Sequence, residues 1–278
     1  MIKRVFLVFI FISLATPCLS EPWSDVFRKE QVDWNKWDLS IPDSMKQRLL
    51  DVIKTSHPSY TLVQEHLHII DFNNDGTPDI IYNGPAGPES NVIILQVNNG
   101  GSYEDTFVGW GQLVALEKLT GWSPLRFRVF NYACCGDMRH FIEEYVPSLK
   151  NGKLSYVLAY RVLVDVRTKL PQTFFDDHII FEVARDKCSL RTEPIIDDEV
   201  FETEWGYAKG NAIASYPPGS VGKAISSFHD NAGNIWWLVI MNPSTNLDWE
   251  LFNHHKSDNS NEKAAMSGWM NSSFLKVK

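Results

Sequence analysis

The sequence predicts a mainly β protein: an open antiparallel β domain with one short helix near its start, and a small barrel at its C-terminal end. Three observations carry this. From Thr61 onward apolar and polar residues tend to alternate, the period of a half-buried strand. Turns of hairpin type recur at Asn98-Asn99-Gly100-Gly101, Asn151-Gly152 and Asn231-Ala232-Gly233-Asn234. One segment alone is spaced as a helix: Pro42-Asp43-Ser44 opens it, Met45, Leu49, Val52 and Ile53 form its stripe, and His57-Pro58 stops it.

With 44% hydrophobic and 22% charged residues over 278 positions, the composition is globular and excludes a disordered or collagen-like chain. The net charge of −8 leaves no electrostatic footprint for nucleic acid or anionic lipid. Calcium, carbohydrate, peptide or a protein partner remain open. Ten Trp must be shared between cores and binding faces.

In chain order, residues 1–20 read as a signal peptide. Lys3 and Arg4 precede the apolar run Val5–Leu14, and small residues follow, with cleavage expected after Ser20 or after Ala15. The run is too short to span a bilayer comfortably, and Ala15, Thr16 and Pro17 make a poor context for lipid attachment at Cys18. The expectation is an exported bacterial protein, periplasmic or secreted, with no membrane span in the mature chain. Residues 21–60 hold Trp23, Trp34, Trp37 and the helix. Residues 61–200 form the β domain, with strands expected at 80–82, 92–97, 125–132, 141–146, 154–167 and 177–183, and one short helix expected around Gln112–Leu119. Glu193 to Glu204 is acidic and without pattern, which reads as a linker to a C-terminal domain at 201–278. Within that domain, residues 242–266 are a long polar loop containing His254 and His255.

Removal of Cys18 leaves Cys134, Cys135 and Cys188 in an oxidising compartment. Their spacing lacks the Cys-x-x-Cys pairs of a zinc site. Cys135 and His140 would face opposite sides of a strand, against nucleophilic catalysis. A single disulfide from Cys188 to Cys134 or Cys135 is expected.

The most informative stretch is Asp71-Phe72-Asn73-Asn74-Asp75-Gly76-Thr77-Pro78-Asp79. Side-chain oxygens fall at its first, third, fifth and ninth positions, with Gly76 to turn the chain and the Thr77 carbonyl as a further donor. Hard oxygen donors favour Ca²⁺ over a transition metal. Tyr82 stands where an EF-hand needs Glu, and strand patterns flank the loop, so it is no EF-hand. The alternative is an Asx-rich turn without an ion. With His68-Ile69-Ile70 before it, Ile80-Ile81-Tyr82 after it and the strand from Val92 to Tyr103, residues 62–108 resemble one FG-GAP/VCBS-type repeat. The resemblance implies Ca²⁺ on Asp71, Asn73, Asp75, Thr77 and Asp79. A closed propeller needs several blades and only one such loop is present, so an open domain is expected.

Further on, Gly210 to Tyr216, Gly233-Asn234-Ile235-Trp236-Trp237-Leu238-Val239 and the closing Gly268-Trp269 resemble a bacterial SH3-like (SH3b) domain over residues 205–278. That resemblance implies a small barrel with an aromatic groove of Tyr207, Tyr216, Trp237 and Trp269 for a peptide, cell-wall or protein ligand. Neighbouring strand residues point oppositely, so one of Trp236 and Trp237 is core and the other faces out.

Acid–His groupings occur at Asp176-Asp177-His178, at Asp137 and His140, and at His229-Asp230, none within a recognisable catalytic motif. Glu143 and Glu144 would face opposite sides of a strand. The reading is a non-catalytic binding protein stabilised by calcium. The alternative is a cell-envelope hydrolase with its catalytic groups in residues 110–190.

Overall fold

The computed structural model describes residues 32–87, 91–118, 124–132, 139–203, 206–251 and 264–278. Residues 1–20, expected to be a signal peptide, and Cys134, Cys135, Asp137, His254 and His255 lie outside the described residues. The protein is mainly β with antiparallel sheets and, among the described residues, one α-helix, α1 (Asp43–Ser56). No described helix is long and apolar enough to cross a membrane.

The first sheet is a meander of β1 (Leu67–Ile70), β2 (Asp79–Pro85), β3 (Asn91–Asn99) and β4 (Ser102–Trp110), each strand antiparallel to the next. Its two faces follow from the period of two. Leu67, Ile69, Ile80, Tyr82, Val92 and Ile94 meet Leu49, Leu50 and Ile53 of α1, whereas Ile70, Ile81, Ile93, Leu95 and Val97 face the other way. The helix is turned slightly from the expected stripe. Leu50 is buried and Met45 is 40% exposed, so the face turned to the sheet is Leu49, Leu50 and Ile53.

Against the second face packs an antiparallel array of β5 (Gln112–Lys118), β6 (Leu125–Asn131), β7 (Arg139–Lys150) and β8 (Lys153–Asp165). Leu113, Leu116, Leu125, Phe127, Val129 and Tyr156 supply its side of the core. Here the short helix expected around Gln112–Leu119 is replaced by strand β5. The reason is a bulge: Leu113 pairs with Val129 and Leu116 with Phe127, the register shifting between Leu113 and Ala115. The inserted residue puts two apolar side chains three positions apart on one face, imitating helical spacing.

The remaining strands are β9 (Ile179–Val183), β10 (Cys188–Arg191), β11 (Val200–Thr203), β12 (Gly206–Lys209), β13 (Ala212–Tyr216), β14 (Val221–His229), β15 (Ile235–Met241), β16 (Trp249–Glu250), β17 (Ala265–Asn271) and β18 (Leu275–Val277). Their order is β11-β12-β13-β10-β17-β15-β14-β9-β18, with β16 on β13. The sheet forks at β17. One edge of β17 pairs with β15; along the other, Ala265–Ser267 run parallel to β8 and Trp269 pairs with Arg191 of β10.

This corrects the expected SH3-like barrel. Among the described residues no barrel closes, and strands from either side of residue 200 interleave: β9 lies between β14 and β18, and β10 between β13 and β17. The glycine of the Gly-Trp motif has its explanation in that interleaving. A Cβ on Gly268 would stand 2.7 Å from the carbonyl oxygen of Arg191, on a strand outside the expected module.

Candidate functional site

Residues 71–79 connect β1 to β2, and their side-chain oxygens are gathered by the loop's own backbone. The Asp75 N–H donates to both Asp71 Oδ1 and Asn73 Oδ1 at 3.0 Å, the Gly76 N–H donates to Asp71 Oδ2 at 3.0 Å, and the Thr77 N–H donates to Asp75 Oδ1 at 2.8 Å. Oxygens of Asp71 and Asn73 thus converge on one atom. Asn74 and Gly76 adopt positive φ, +59° and +85°, to fold the chain this tightly. Hydrogen bonding from the Thr77 hydroxyl pulls the Asp75 carboxyl below its ordinary range and keeps it ionised. Neither Asp71 nor Asp75 has a cationic partner among the described residues; Lys118 reaches instead to Asn74 Oδ1 at 3.2 Å.

Asp79 has a different part. It is fully buried and accepts the N–H groups of Phe72 (3.1 Å), Asn73 (3.4 Å) and Asn98 (2.9 Å), tying the loop to the start of β2 and the end of β3. Burial pushes its carboxyl up to about 6, against those three N–H groups. Among the described residues no three His, Cys, Asp or Glu gather as a metal cluster. Asp71, Asn73 and Asp75 lie on the outer side of the loop, half-buried or exposed, and Asp79 is its inner anchor.

Of the four residues expected to form an aromatic groove, the three with described side chains, Tyr216, Trp237 and Trp269, do not share a surface. Tyr216 and Trp269 are buried, at 2% and 1% exposure, in two different clusters. Trp269 pairs with Leu238 and Trp237 with Met270, so registered neighbours put Trp237 and Trp269 on opposite faces of the sheet. Trp236 is core and Trp237 is half-buried, as strand phase requires of adjacent residues. The side chain of Tyr207 lies outside the described residues.

Sequence reasoning missed an open cleft of about 470 Å³ on the face that carries Trp236 and Trp269 inward. Beyond those two indoles the strands present small polar side chains. Ser189 of β10 is paired with Ser215 of β13, Ser215 with Trp249 of β16, and Asn271 of β17 with Trp236. Trp249, Phe274 and Ile196 stand around this floor. Arg191, buried at the cleft's end, donates to the Asp197 carbonyl, to Asn211 Oδ1 and to the Asp198 carboxylate, each at 2.9 Å, and holds residues 197–198 as a wall. The signal was the small residues Ala212, Ala214 and Ser215, in strands otherwise rich in large apolar ones.

Two acid–His pairs also escaped the sequence reading. His68 Nδ1 lies 3.0 Å from Asp38 Oδ2, its ring stacked on Trp34, and Asp38 Oδ1 accepts the Ile69 N–H. Burial lowers the His68 pKa in spite of Asp38. This pair clamps the N-terminal segment onto β1. His57 Nε2 lies 3.2 Å from Asp105 Oδ1, which also accepts from Gln96.

Of the groups flagged from sequence, Asp230 caps the β14–β15 turn through the N–H groups of Ala232 and Asn234 and the Trp236 indole. Its carboxyl is held down to about 2 by hydrogen bonds from Asn234 and Trp236. Glu143 pairs with Arg161, and Glu144 with Arg126 and Arg128. Asp176 and Asp177 are exposed. Cys188 is a buried thiol pushed up to about 12 by desolvation, and its two expected partners lie outside the described residues.

Compared with protein-family models, curated proteins and solved structures, the chain matches none.

Proposed function

We propose that this chain is an exported binding protein in which calcium clamps the β1–β2 loop while the C-terminal half carries the ligand surface. The single observation behind the calcium reading is the convergence of Asp71 and Asn73 oxygens on the Asp75 N–H within a glycine-turned loop, with neither Asp71 nor Asp75 beside a cationic partner among the described residues. Asp71, Asn73 and Asp75, with the Thr77 carbonyl, would hold the ion, above the buried Asp79. Calcium supplies positive charge and coordination there, and this chain's part is to fold the donors together in advance. Asp79 does so from beneath, through Phe72, Asn73 and Asn98. Ligand binding belongs to the cleft over Ser189, Ser215 and Asn271, in place of the aromatic groove.

An ion that binds only the folded chain stabilises it by RT ln(1 + [L]/Kd), about 2.7 kcal/mol at a hundredfold excess over Kd. Melting in Ca²⁺ should therefore exceed melting in EGTA, and Asp75→Ala should erase the difference. Identical wild-type curves would contradict the calcium reading.

A further inference from the structure

We infer that the cleft between β10, β13, β16 and Asn271–Phe274 is a saccharide-binding site, one that presupposes the binding reading above but not its calcium. Its shape comes from a change in residue size along one sheet face. That face sends Trp236 and Trp269 into the core and then continues as Ser189 and Ser215, so its floor lies a large side chain lower than its surroundings. At about 470 Å³ it falls within the range of sites for small organic ligands.

The floor is neutral and hydrogen-bonding. The hydroxyls of Ser189 and Ser215 have no hydrogen-bond partner among the described residues. The carboxamide of Asn271, 9% exposed, is oriented by the Ser273 N–H, which donates to its Oδ1 at 3.0 Å. Its NH₂ is thereby left unpartnered among the described residues, in a side chain that lines the cleft. Two hydroxyls that can donate or accept, and one amide that donates, suit the hydroxyl groups of a sugar. Beside them stands Trp249, 36% exposed on a two-residue strand, an apolar plane of the kind that covers the C–H face of a pyranose ring.

Two other ligand classes fit less well. A polyanion needs unspent cations, yet Arg191 and Lys209 both serve Asp198, at 2.9 and 3.6 Å, and the outer rim carries one charge of each sign, Lys187 and Asp248. An extended peptide would seek a strand edge to pair with. This floor is the face of β10 and β13, whose backbone groups already pair with each other.

The test applies the mature chain to an array of neutral, amino and acidic oligosaccharides, then titrates the retained sugar by calorimetry, in Ca²⁺ and in EGTA. Retention of a neutral or N-acetylated sugar is expected, with the same affinity in both buffers. Trp249→Ala and Ser215→Leu should each weaken it by about tenfold or more. Trp249 is exposed enough that its alanine variant should melt with the wild type, which keeps the test decisive even where Ser215→Leu misfolds. Retention of no saccharide, or an unchanged affinity in Trp249→Ala, would overturn the assignment. Triglycine or inorganic phosphate binding in place of sugar would overturn it in favour of a peptide or anion site. A missing calcium shift in melting bears on the loop alone, so the two readings fail separately.

Discussion

The two sheets of this protein are built by different rules. In the first, β1 to β4 pair in the order in which they are made, and the apolar alternation of each strand assigns its face directly to α1 or to the β5–β8 array. In the second, β17 is among the last strands made, and it joins β15, β10 and β8, the last more than 100 residues earlier in the chain. Local pairing is set by turns and by the period of two. Distant pairing is set by which surfaces remain to be covered, and sequence patterns carry little of that.

The sharpest way to break this comparison is to cut the chain at residue 205. A fragment of 206–278 loses β8, β9 and β10, the neighbours of β17, β14, β18 and β13, and should show no dispersed amide spectrum. A cooperatively folded fragment would mean that the forked sheet is dispensable and that an independent module exists after all. Next in size are the tryptophans at the fork. Trp269→Ala and Trp236→Ala should each cost about 3–5 kcal/mol in urea unfolding, as deletions of large buried side chains do. Trp237→Ala, half-buried on the opposite face, should cost clearly less.

A smaller effect belongs to the first sheet. Gly76 has φ +85° with nothing within 4 Å of where a Cβ would be, so Gly76→Ala should cost about 1 kcal/mol from backbone strain alone. The smallest is a pH effect. Burial lowers the His68 pKa, so between that value and 6.5 the unfolded chain binds the additional proton. Stability contributed by neutral His68 is present above pH 6.5 and lost as pH falls through its folded pKa. Melting at pH 7.5 and 5.5 should show the loss, and His68→Gln should reduce it.

Legibility in the sequence followed the same division. The mainly β class, the helix and the strands around 80–97 and 125–167 were readable, because Ile80, Ile81 and Tyr82 or Val92 to Val97 carry their faces in their own order. Strand β5 was not, because its bulge spaces Leu113 and Leu116 as a helix would. The cleft was not, because Ser189, Ser215 and Asn271 are ordinary residues until three strands from distant segments bring them together. For the same reason the Trp237 and Trp269 motifs suggested a shared groove, although the register puts them on opposite faces.

The proposed calcium site at residues 71–79 is built from one short segment, and a calorimetric titration of the chelator-stripped chain with Ca²⁺ tests it most directly. One ion should bind per chain, with amide shifts confined to Asp71–Asp79 and the adjoining end of β3 at Asn98, and Asp71→Asn combined with Asp75→Asn should abolish both the heat and the shifts. Absence of binding heat and of amide shifts in the wild type would mean that residues 71–79 are a self-satisfied turn, and the account of this protein as calcium-clamped would be wrong.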